Sequence, residues 1–357
     1  MENVAWLGLD AHAHFSVLAW MDEQGRRRQH WRFPTSEPQI IKHIQAVPAQ
    51  IKNFAVEECG LARWIAQVAR PHVTKAVVCD PRENHRISHH HHKCDEEDGY
   101  TLAHLHRLGA LKEVWQPTSD ARALFKCAAQ GYLDAVQRET ALKQQLKAQY
   151  RCWGVIPRGL SVYSRKSRGR WLAQVRQDGV RAQLLILYEL LDWALVAQSK
   201  ARRLMVQLGK GFPEIQRLRT VPGVGLIGGH VFVAFIQEPG RFENPSQLYR
   251  YCRLGIRDRS SDGKPLGYQK LDRQGHGVLK AISYRAWLQA MKRRKGPIYE
   301  FYRRSLERTG SDVHARLNTQ RKVLLTLWVL WQNQKEFDPK EFLRPDPVAA
   351  ARNACGS

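Results

Sequence analysis

The segment KCDEEDGYTLAHLHRLG, residues 93–109, sets four consecutive acids into a strongly basic chain. The 357-residue protein carries 57 Lys and Arg against 33 Asp and Glu, which makes the row of acids at residues 95–98 conspicuous. Leucines follow at residues 102, 105 and 108, and this helical spacing predicts a helix that begins with the acids. On such a helix Asp95 and Asp98 lie one turn apart on a single face.

The segment alone leaves two interpretations of this acidic helix start open. Acids are favoured at helix N-termini by the macrodipole, which accounts for a solvated turn with no further role. Alternatively the acids bind a cation, because two carboxylates about 4 Å apart repel by roughly 4 kcal/mol at an effective dielectric near 20. Further carboxylates elsewhere in the chain favour the second interpretation.

The chain before this helix predicts a mixed α/β fold. Short apolar or alternating runs indicate three antiparallel strands joined by turns, and helical patterns then alternate with two more strands. The predicted strands are residues 4–10, 15–21, 28–33, 54–56 and 75–79, and the predicted helices are residues 36–46 and 61–69. This order is typical of an RNase H-like (RuvC-like) domain.

Two more acids close predicted strands of this domain. Asp10 ends the first strand and Glu58 follows the fourth. A carboxylate at the end of a buried strand is expensive unless it has a partner or a metal ion. An RNase H-like domain carries acids at these places and on a later helix, so the candidate metal ligands are Asp10, Glu58, Asp95 and Asp98.

A run of four histidines, His89–His92, precedes the acidic helix. Consecutive residues point in different directions, so the run has poor metal-ligand spacing compared with histidines at i and i+4. We expect a flexible basic loop near nucleic acid.

The global charge points to a polyanionic partner. A formal charge of +24 and a pI near 10.1 favour nucleic acid, with a membrane surface as the rival. The sequence shows no signal peptide and no apolar run of transmembrane length, so no membrane role is expected. The seven dispersed cysteines fit reduced thiols in a bacterial cytoplasm, and we expect a DNA-associated protein there.

The pattern beyond the acidic helix divides the chain further. Long helical patterns cover residues 121–150 and 171–208, and they predict an oligomerisation spacer. The predicted organisation is a metal-binding domain (residues 1–118), a coiled-coil-like spacer (119–210), a mainly helical C-terminal domain (211–340) and a flexible tail (341–357).

The C-terminal domain contains a glycine-rich turn, LRTVPGVGLIGG, at residues 218–229. It predicts a helix-hairpin-helix turn in which Gly223 and Gly225 let backbone N–H groups approach a phosphate. An ordinary tight turn is the alternative.

A basic and aromatic segment, residues 241–308, holds 17 Lys and Arg against 6 Asp and Glu. Bases interleaved with tyrosines and tryptophans suit phosphate contact combined with base stacking. Ser260 and Ser261 lie within it, before an Asp-Gly pair that by itself indicates a turn. The candidate nucleic-acid contacts are Arg257, Arg259, Lys264, Lys270 and Arg273.

Together these motifs resemble the DEDD family of insertion-sequence transposases, which includes the Piv-type DNA invertases and the bridge-RNA-guided recombinases. The resemblance rests on the Leu9-Asp10 strand end, the Glu58-Cys59-Gly60 corner, the start of the acidic helix, the glycine hairpin and the serine segment, and it spans about residues 4–334. The chain departs from the family pattern with Glu96-Glu97 between the two aspartates, with Gly99 after them and with Asp262 between serine and glycine.

The resemblance implies Mg²⁺-dependent cleavage and rejoining of donor and target DNA. Asp10, Glu58, Asp95 and Asp98 would hold two Mg²⁺ ions, and Ser261, or else Ser260, would form a phosphoserine intermediate. A structured guide RNA and a homo-oligomer, dimer or tetramer, with shared active sites are also implied.

Two other functions are considered. One is an RNase H-like nuclease or Holliday-junction resolvase that uses water as the nucleophile. The other is a non-catalytic nucleic-acid-binding relative, and the intact acids argue against it.

Overall fold

The computed structural model describes residues 3–81, 94–117, 119–257, 260–261, 264–265, 270–272 and 274–344. The chain divides into two compact units, Met1–Gln116 and Pro117–Ser357. The predicted His89–His92 loop lies outside the described residues. No helix in the described ranges is both long enough and apolar enough to cross a membrane.

The first unit is built on a five-stranded mixed sheet with strand order β3-β2-β1-β4-β5. β1 pairs antiparallel with β2 and parallel with β4, and β4 pairs parallel with β5. This sheet is consistent with the predicted RNase H-like domain. The strands are β1 (Val4–Ala11), β2 (Phe15–Asp22), β3 (Arg27–Pro34), β4 (Ile51–Glu57) and β5 (Lys75–Cys79).

Helices cover the two faces of this sheet: α1 (Glu37–Ala46), α2 (Ala62–Ala69) and α3 (Asp95–Arg107). Leu7 and Leu9 of β1 lie in one core with residues of α1 and α2. Because side chains alternate along a strand, Gly8 and Asp10 face the other side, where α3 packs. Asp10 is therefore aimed at the face that carries the acidic helix.

α3 approaches the sheet unusually closely because both surfaces lack side chains at the contact. A Cβ atom on Gly8 would lie 2.2 Å from the Gly99 carbonyl oxygen and 2.7 Å from the Ala103 nitrogen. A Cβ atom on Gly99 would lie 3.1 Å from the Cβ of Ala19 on β2. Even the methyl group of an alanine at position 99 would therefore be crowded against β2.

An ion pair and a histidine–carboxylate contact hold the start of α3 to β3. Arg27 donates to Glu97, with Nη2 2.7 Å from Oε2, and its guanidinium lies 4.8 Å from the centre of the Tyr100 ring. His30 Nε2 lies 3.1 Å from Oε1 of Glu96. The two glutamates that depart from the family pattern therefore hold the helix to the sheet.

The second unit is mainly helical, and its principal core includes Phe125, Phe232, Leu279 and Leu327. Its helices are α4 (Asp120–Cys152), α5 (Arg168–Leu172), α6 (Asp178–Gly209), α7 (Glu214–Leu218), α8 (Leu226–Ile236), α9 (Pro245–Tyr251), α10 (Gly277–Arg293), α11 (Pro297–Thr309), α12 (Asp312–Gln332) and α13 (Pro339–Leu343). Short 3₁₀ turns cover Arg70–His72 in the first unit and Ser161–Tyr163, Arg165–Ser167 and Pro239–Arg241 in the second. Phe342 of α13 is buried in the principal core, within the segment assigned from sequence to the tail.

The helices α4 and α6 pack together as a long hairpin with a second, smaller core at its far end. There the Tyr150 and Tyr188 hydroxyls lie 3.0 Å apart, and Tyr188 donates to the Val162 carbonyl at 2.9 Å. Nearer the middle of the hairpin, Gln198 of α6 donates to the buried Glu139 of α4 at 2.8 Å. A polar pair thus links the helices between the two cores.

The predicted helix over residues 171–208 is interrupted, and this part of the prediction is wrong. α5 ends at Leu172 and α6 begins at Asp178. Val175 between them is buried in the smaller core, and Arg181 Nη1 donates to the Val175 carbonyl at 2.6 Å. The segment between the two helices is thus held by a buried side chain and by a hydrogen bond to its backbone.

Replacing Gly8 with alanine should destabilise the first unit. The added methyl must push α3 away from β1, so we expect the free energy of unfolding to fall by about 1–3 kcal/mol. Thermal unfolding followed by circular dichroism measures the change. Gly60→Ala is the matched control, because among the described residues nothing lies within 4 Å of its added methyl. Equal effects of the two substitutions would contradict the close-approach explanation.

Candidate functional site

The candidate site lies where β1 ends and α3 begins. Asp10, His12 and Asp95 each offer one ligand atom, and these atoms all lie within 4.8 Å of one another. His12 Nε2 is 3.1 Å from Oδ2 of Asp10 and 3.7 Å from Oδ1 of Asp95. Asp95 is the first residue of α3, and the closely packed helix presents it directly to the end of β1.

Asp98 adds its charge to this group from one turn further along α3. Burial is the largest influence on Asp10 and raises the pKa of its carboxyl group. His12 opposes this rise, and the charges of Asp98 and Asp95 increase it. The raised pKa of Asp10 therefore records both its burial and the proximity of two more carboxylates.

An arginine and an aromatic ring surround the acids. Arg32 Nη1 lies 3.6 Å from Oδ2 of Asp95, and its guanidinium lies 3.8 Å from the centre of the Phe15 ring. The His12 ring packs on the same phenylalanine, with ring centres 4.6 Å apart. Phe15 thus holds two nitrogen-bearing side chains over the carboxylates, and these partly neutralise the site.

Glu58, the fourth predicted acid, occupies a neighbouring position. It follows β4, and its backbone N–H donates to the Cys79 carbonyl at 2.9 Å. β1 and β4 are parallel, with Leu9 opposite Val56, so Asp10 and Glu58 lie at the same edge of the sheet. The Glu58 side chain is exposed and is outside the group defined by the 4.8 Å limit. Its role as a metal ligand stays a prediction.

His12 is a site residue that the sequence analysis missed. It was placed in a turn between strands, where a histidine carries no signal. The relevant signal is its spacing, since residues i and i+2 of an extended chain point to the same side. β1 continues to Ala11, and His12 therefore follows Asp10 on one face.

The donor set fits a divalent cation. Carboxylate oxygens suit Mg²⁺ and Mn²⁺, and an imidazole nitrogen is a common ligand of transition metals. A cation would relieve the repulsion between Asp10, Asp95 and Asp98 that the raised pKa of Asp10 records. Asp10, His12 and Asp95 are the residues that would hold it.

The predicted serine nucleophiles lie in the second unit, on a short antiparallel ladder. β7 (Ser260–Ser261) pairs with β8 (Lys264–Pro265), with Ser261 opposite Lys264. This ladder is nested within a second one, in which β6 (Ile256–Arg257) pairs with β9 (Lys270–Leu271) and Arg257 is opposite Lys270. Both serines thus belong to one hairpin with three of the predicted bases, while Arg259 and Arg273 lie outside the described residues.

The glycine-rich turn connects α7 to α8. Gly223 has a φ of +82°, and a Cβ there would lie 2.6 Å from the Ala286 Cα, so glycine is required by packing against α10. Gly225 precedes α8, and among the described residues nothing lies within 4 Å of a Cβ placed there. The open space at Gly225 leaves room for a phosphate, and the helix-hairpin-helix assignment stays a prediction.

Two family models match the chain. Residues 7–151 match the DEDD transposase model of the IS110 group, whose description is transposase. Residues 215–303 match the model of the IS116/IS110/IS902 transposase family. The chain is also 26% identical over 278 residues to "Putative transposase y4qE" of Sinorhizobium fredii, covering 74% of this chain and 67% of that protein.

A five-stranded mixed sheet with acids at the end of its first strand and at the start of α3, together with these matches, defines a DEDD-class transposase. The chain belongs to the IS110-type family of insertion-sequence transposases.

Replacing Asp10 with asparagine should stabilise the metal-free protein at neutral pH. The folded state raises the pKa of Asp10 above its ordinary value of 3.8, so ionised Asp10 opposes folding above that pH. The melting temperature of Asp10→Asn in EDTA should exceed that of the unmodified protein at pH 7, and the gap should close as pH falls towards 3.8.

Asp22→Asn is the matched control, because the folded state lowers the pKa of Asp22 whereas it raises the pKa of Asp10. Burial raises the pKa of Asp22, but hydrogen bonds from the Arg26 backbone and the Arg28 side chain, with the charges of these arginines, lower it below its ordinary value. Asp22→Asn should therefore lower the melting temperature at pH 7. If both variants melt below the unmodified protein, the ionised Asp10 carboxylate does not destabilise the folded state.

Proposed function

We propose that this transposase cleaves and rejoins DNA in a reaction that depends on a divalent metal, Mg²⁺ above all, and passes through a phosphoserine intermediate. The observation that carries the proposal is the convergence of Asp10, His12 and Asp95, with Asp98 close by, in a chain of formal charge +24. The basic surface provides affinity for nucleic acid, and the acidic group provides the chemistry.

The proposed division of labour follows from the residues of the first unit. A bound divalent ion supplies positive charge that stabilises the attacked phosphate and the leaving oxygen. Asp10, His12 and Asp95 would hold it, and Asp98 and Glu58 would supply further carboxylates for a second ion. Arg32 holds Asp95 through an ion pair at 3.6 Å, and Phe15 orients Arg32 and His12.

Ser261, or else Ser260, is the proposed nucleophile. Attack of its oxygen on phosphorus releases the hydroxyl proton, forms the serine–phosphate bond and breaks the phosphorus bond to the leaving 3′ or 5′ oxygen of the DNA. The leaving oxygen takes up a proton. The covalent intermediate retains the energy of the phosphodiester, so the strands can rejoin without ATP. Lys264 is paired with Ser261 and Arg257 with Lys270 in the two ladders, so the hairpin that carries the serines also carries three basic residues, and cations of this kind would stabilise charge on the attacked phosphate.

We further propose that the α4–α6 hairpin joins copies of the chain into a dimer or tetramer and that a structured RNA guides the choice of donor and target DNA. Support for self-association comes from the apolar side chains that α6 exposes at helical spacing, Ile186, Leu190 and Trp193, which are 57%, 47% and 74% exposed. The guide RNA rests on the family resemblance and on the excess of positive charge.

A metal-dependent nuclease with water as the nucleophile is the second candidate. It is favoured because Asp10, His12 and Asp95 all belong to the first unit. Hydrolysis by a metal-activated water would need these residues and no serine. The last experiment of this subsection separates it from the serine reaction.

Asp10→Asn or Asp98→Asn should reduce strand cleavage in Mg²⁺ at least a hundredfold and leave DNA affinity within about twofold, because the acids do not supply binding energy. Gel assays of cleavage and fluorescence anisotropy of binding measure the two effects. Glu23→Gln, which removes an exposed acid from the same unit, is the control and should cleave normally. Cleavage by Asp10→Asn at the native rate would show that the site is assigned wrongly.

Ser261→Ala should abolish a covalent protein–DNA species that the unmodified protein forms with guide RNA, donor and target DNA, and Mg²⁺. The species is detected as labelled DNA that migrates with protein on a denaturing gel. Ser260→Ala serves as the matched control and should retain it. Cleavage without any covalent species, unaffected by either substitution, would favour the nuclease.

A further inference from the structure

The start of α10 combines a helix N-terminus with a cation. His276 precedes the helix and makes no capping bond through its side chain, and the first turn contains no acid. Lys280 instead stands in this turn. The macrodipole favours anions here and disfavours cations, so Lys280 occupies an unfavourable place unless an anion is bound.

Arg253 brings a second cation to the same place. Its backbone has a left-handed φ of +57°, and its side chain lies across the first residue of α10. A Cβ atom on Gly277 would lie 3.0 Å from Nη1 and 3.6 Å from Cδ of Arg253. Glycine at this position therefore lets the guanidinium lie close to the helix start.

Helix α12 contributes two more cations. Arg321 donates from Nε and Nη2 to the Leu254 carbonyl at 2.9 and 2.8 Å. The Arg316 guanidinium lies 5.7 Å from the centre of the buried Trp287 ring. Within the described part of the chain, Lys280, Arg316 and Arg321 pair with no carboxylate. A carbonyl and an indole ring fix the two arginines in position without neutralising them.

The charges in this cluster act on one another. Burial lowers the pKa of Lys280, and Arg316, Arg253 and Arg321 lower it further. Burial likewise lowers the pKa of His276 to about 4, with further contributions from Lys126, Arg241 and Arg253. Among the residues that the structure describes, every charged group that shifts these two pKa values is a cation. Positive charges of this kind, with Lys280 and Arg253 at a helix N-terminus and Arg316 beside Trp287 further along the same helix, are typical of an anion site.

We propose that Arg253, Lys280, Arg316 and Arg321 bind a phosphodiester of the DNA strand that the serine hairpin attacks. This cationic cluster adjoins the hairpin, because Arg253 and Leu254 lead through Gly255 into β6. The Asp272 N–H donates to the Gly255 carbonyl at 2.9 Å and closes the base of the hairpin. The inference rests on the proposed strand exchange and names the residues that anchor its substrate.

The test compares Lys280→Gln with Lys292→Gln in the full-length protein. Both remove one positive charge from α10, but Lys292 is exposed in the last turn, where the macrodipole favours a cation. Binding of a duplex DNA oligonucleotide is titrated over a range of salt concentrations, and a folded RNA of equal phosphate number is titrated in parallel.

Lys280→Gln should weaken duplex binding about tenfold and reduce the slope of log K against log salt by about 0.9, the loss of one phosphate contact. Lys292→Gln should stay within about twofold of the unmodified protein. Without nucleic acid, Lys280→Gln should melt at a higher temperature, since repulsion within the cluster is relieved. Inorganic phosphate should stabilise the unmodified protein more than the variant.

Equal weakening by the two substitutions would indicate diffuse attraction and overturn the proposal, as would a loss confined to RNA. If Lys280→Gln does not fold, Arg316→Gln replaces it with the same expectations for binding and salt slope. If the unmodified protein binds duplex DNA but neither cleaves it nor forms a covalent species, strand exchange fails. A phosphate stabilisation lost on Lys280→Gln would then still support the anion site.

Discussion

The close approach of α3 to β1 is the constraint on which the acidic site depends. At Gly8 and Gly99 the backbone of β1 contacts the backbone of α3 directly. A methyl group on Gly8 would lie 2.2 Å from the Gly99 carbonyl oxygen. The helix start is thereby held at the end of β1, and Asp95 reaches Asp10 and His12. Pairs between α3 and β3, Arg27 with Glu97 and His30 with Glu96, fix the remaining freedom of the helix.

The sequence predicted the parts of this arrangement that depend on local patterns. β5 was predicted at its observed bounds, and the acidic helix begins with the row of acids, at Asp95, as predicted. His12 was missed because its contact with Asp95 depends on how α3 packs on the sheet, although its spacing from Asp10 was a local signal. The break before α6 was missed for a similar reason, since Val175 is buried by residues distant in sequence.

The two units place charge in opposite ways. In the first, Arg32 and His12 lie beside the half-buried acids Asp10 and Asp95 and moderate their repulsion. In the second, Lys280 and Arg253 lie at the start of α10 and Arg316 lies beside Trp287 of the same helix, and among the described residues the charges that act on Lys280 are positive. Each arrangement is less stable than a neutral one, because like charges are brought together during folding. Stability is thus lowered at the places where a metal ion and a phosphate are expected to bind, which is a common property of functional sites.

The α4–α6 hairpin has a core at each end and, between them, the hydrogen bond from Gln198 to Glu139. Because neither core extends along the whole hairpin, its length is nearly independent of how either end packs. Insertion of seven residues into each helix between the cores would add about 10 Å and keep the same faces together. In evolution, therefore, this hairpin is free to change its length by whole turns while both of its ends keep their sequences.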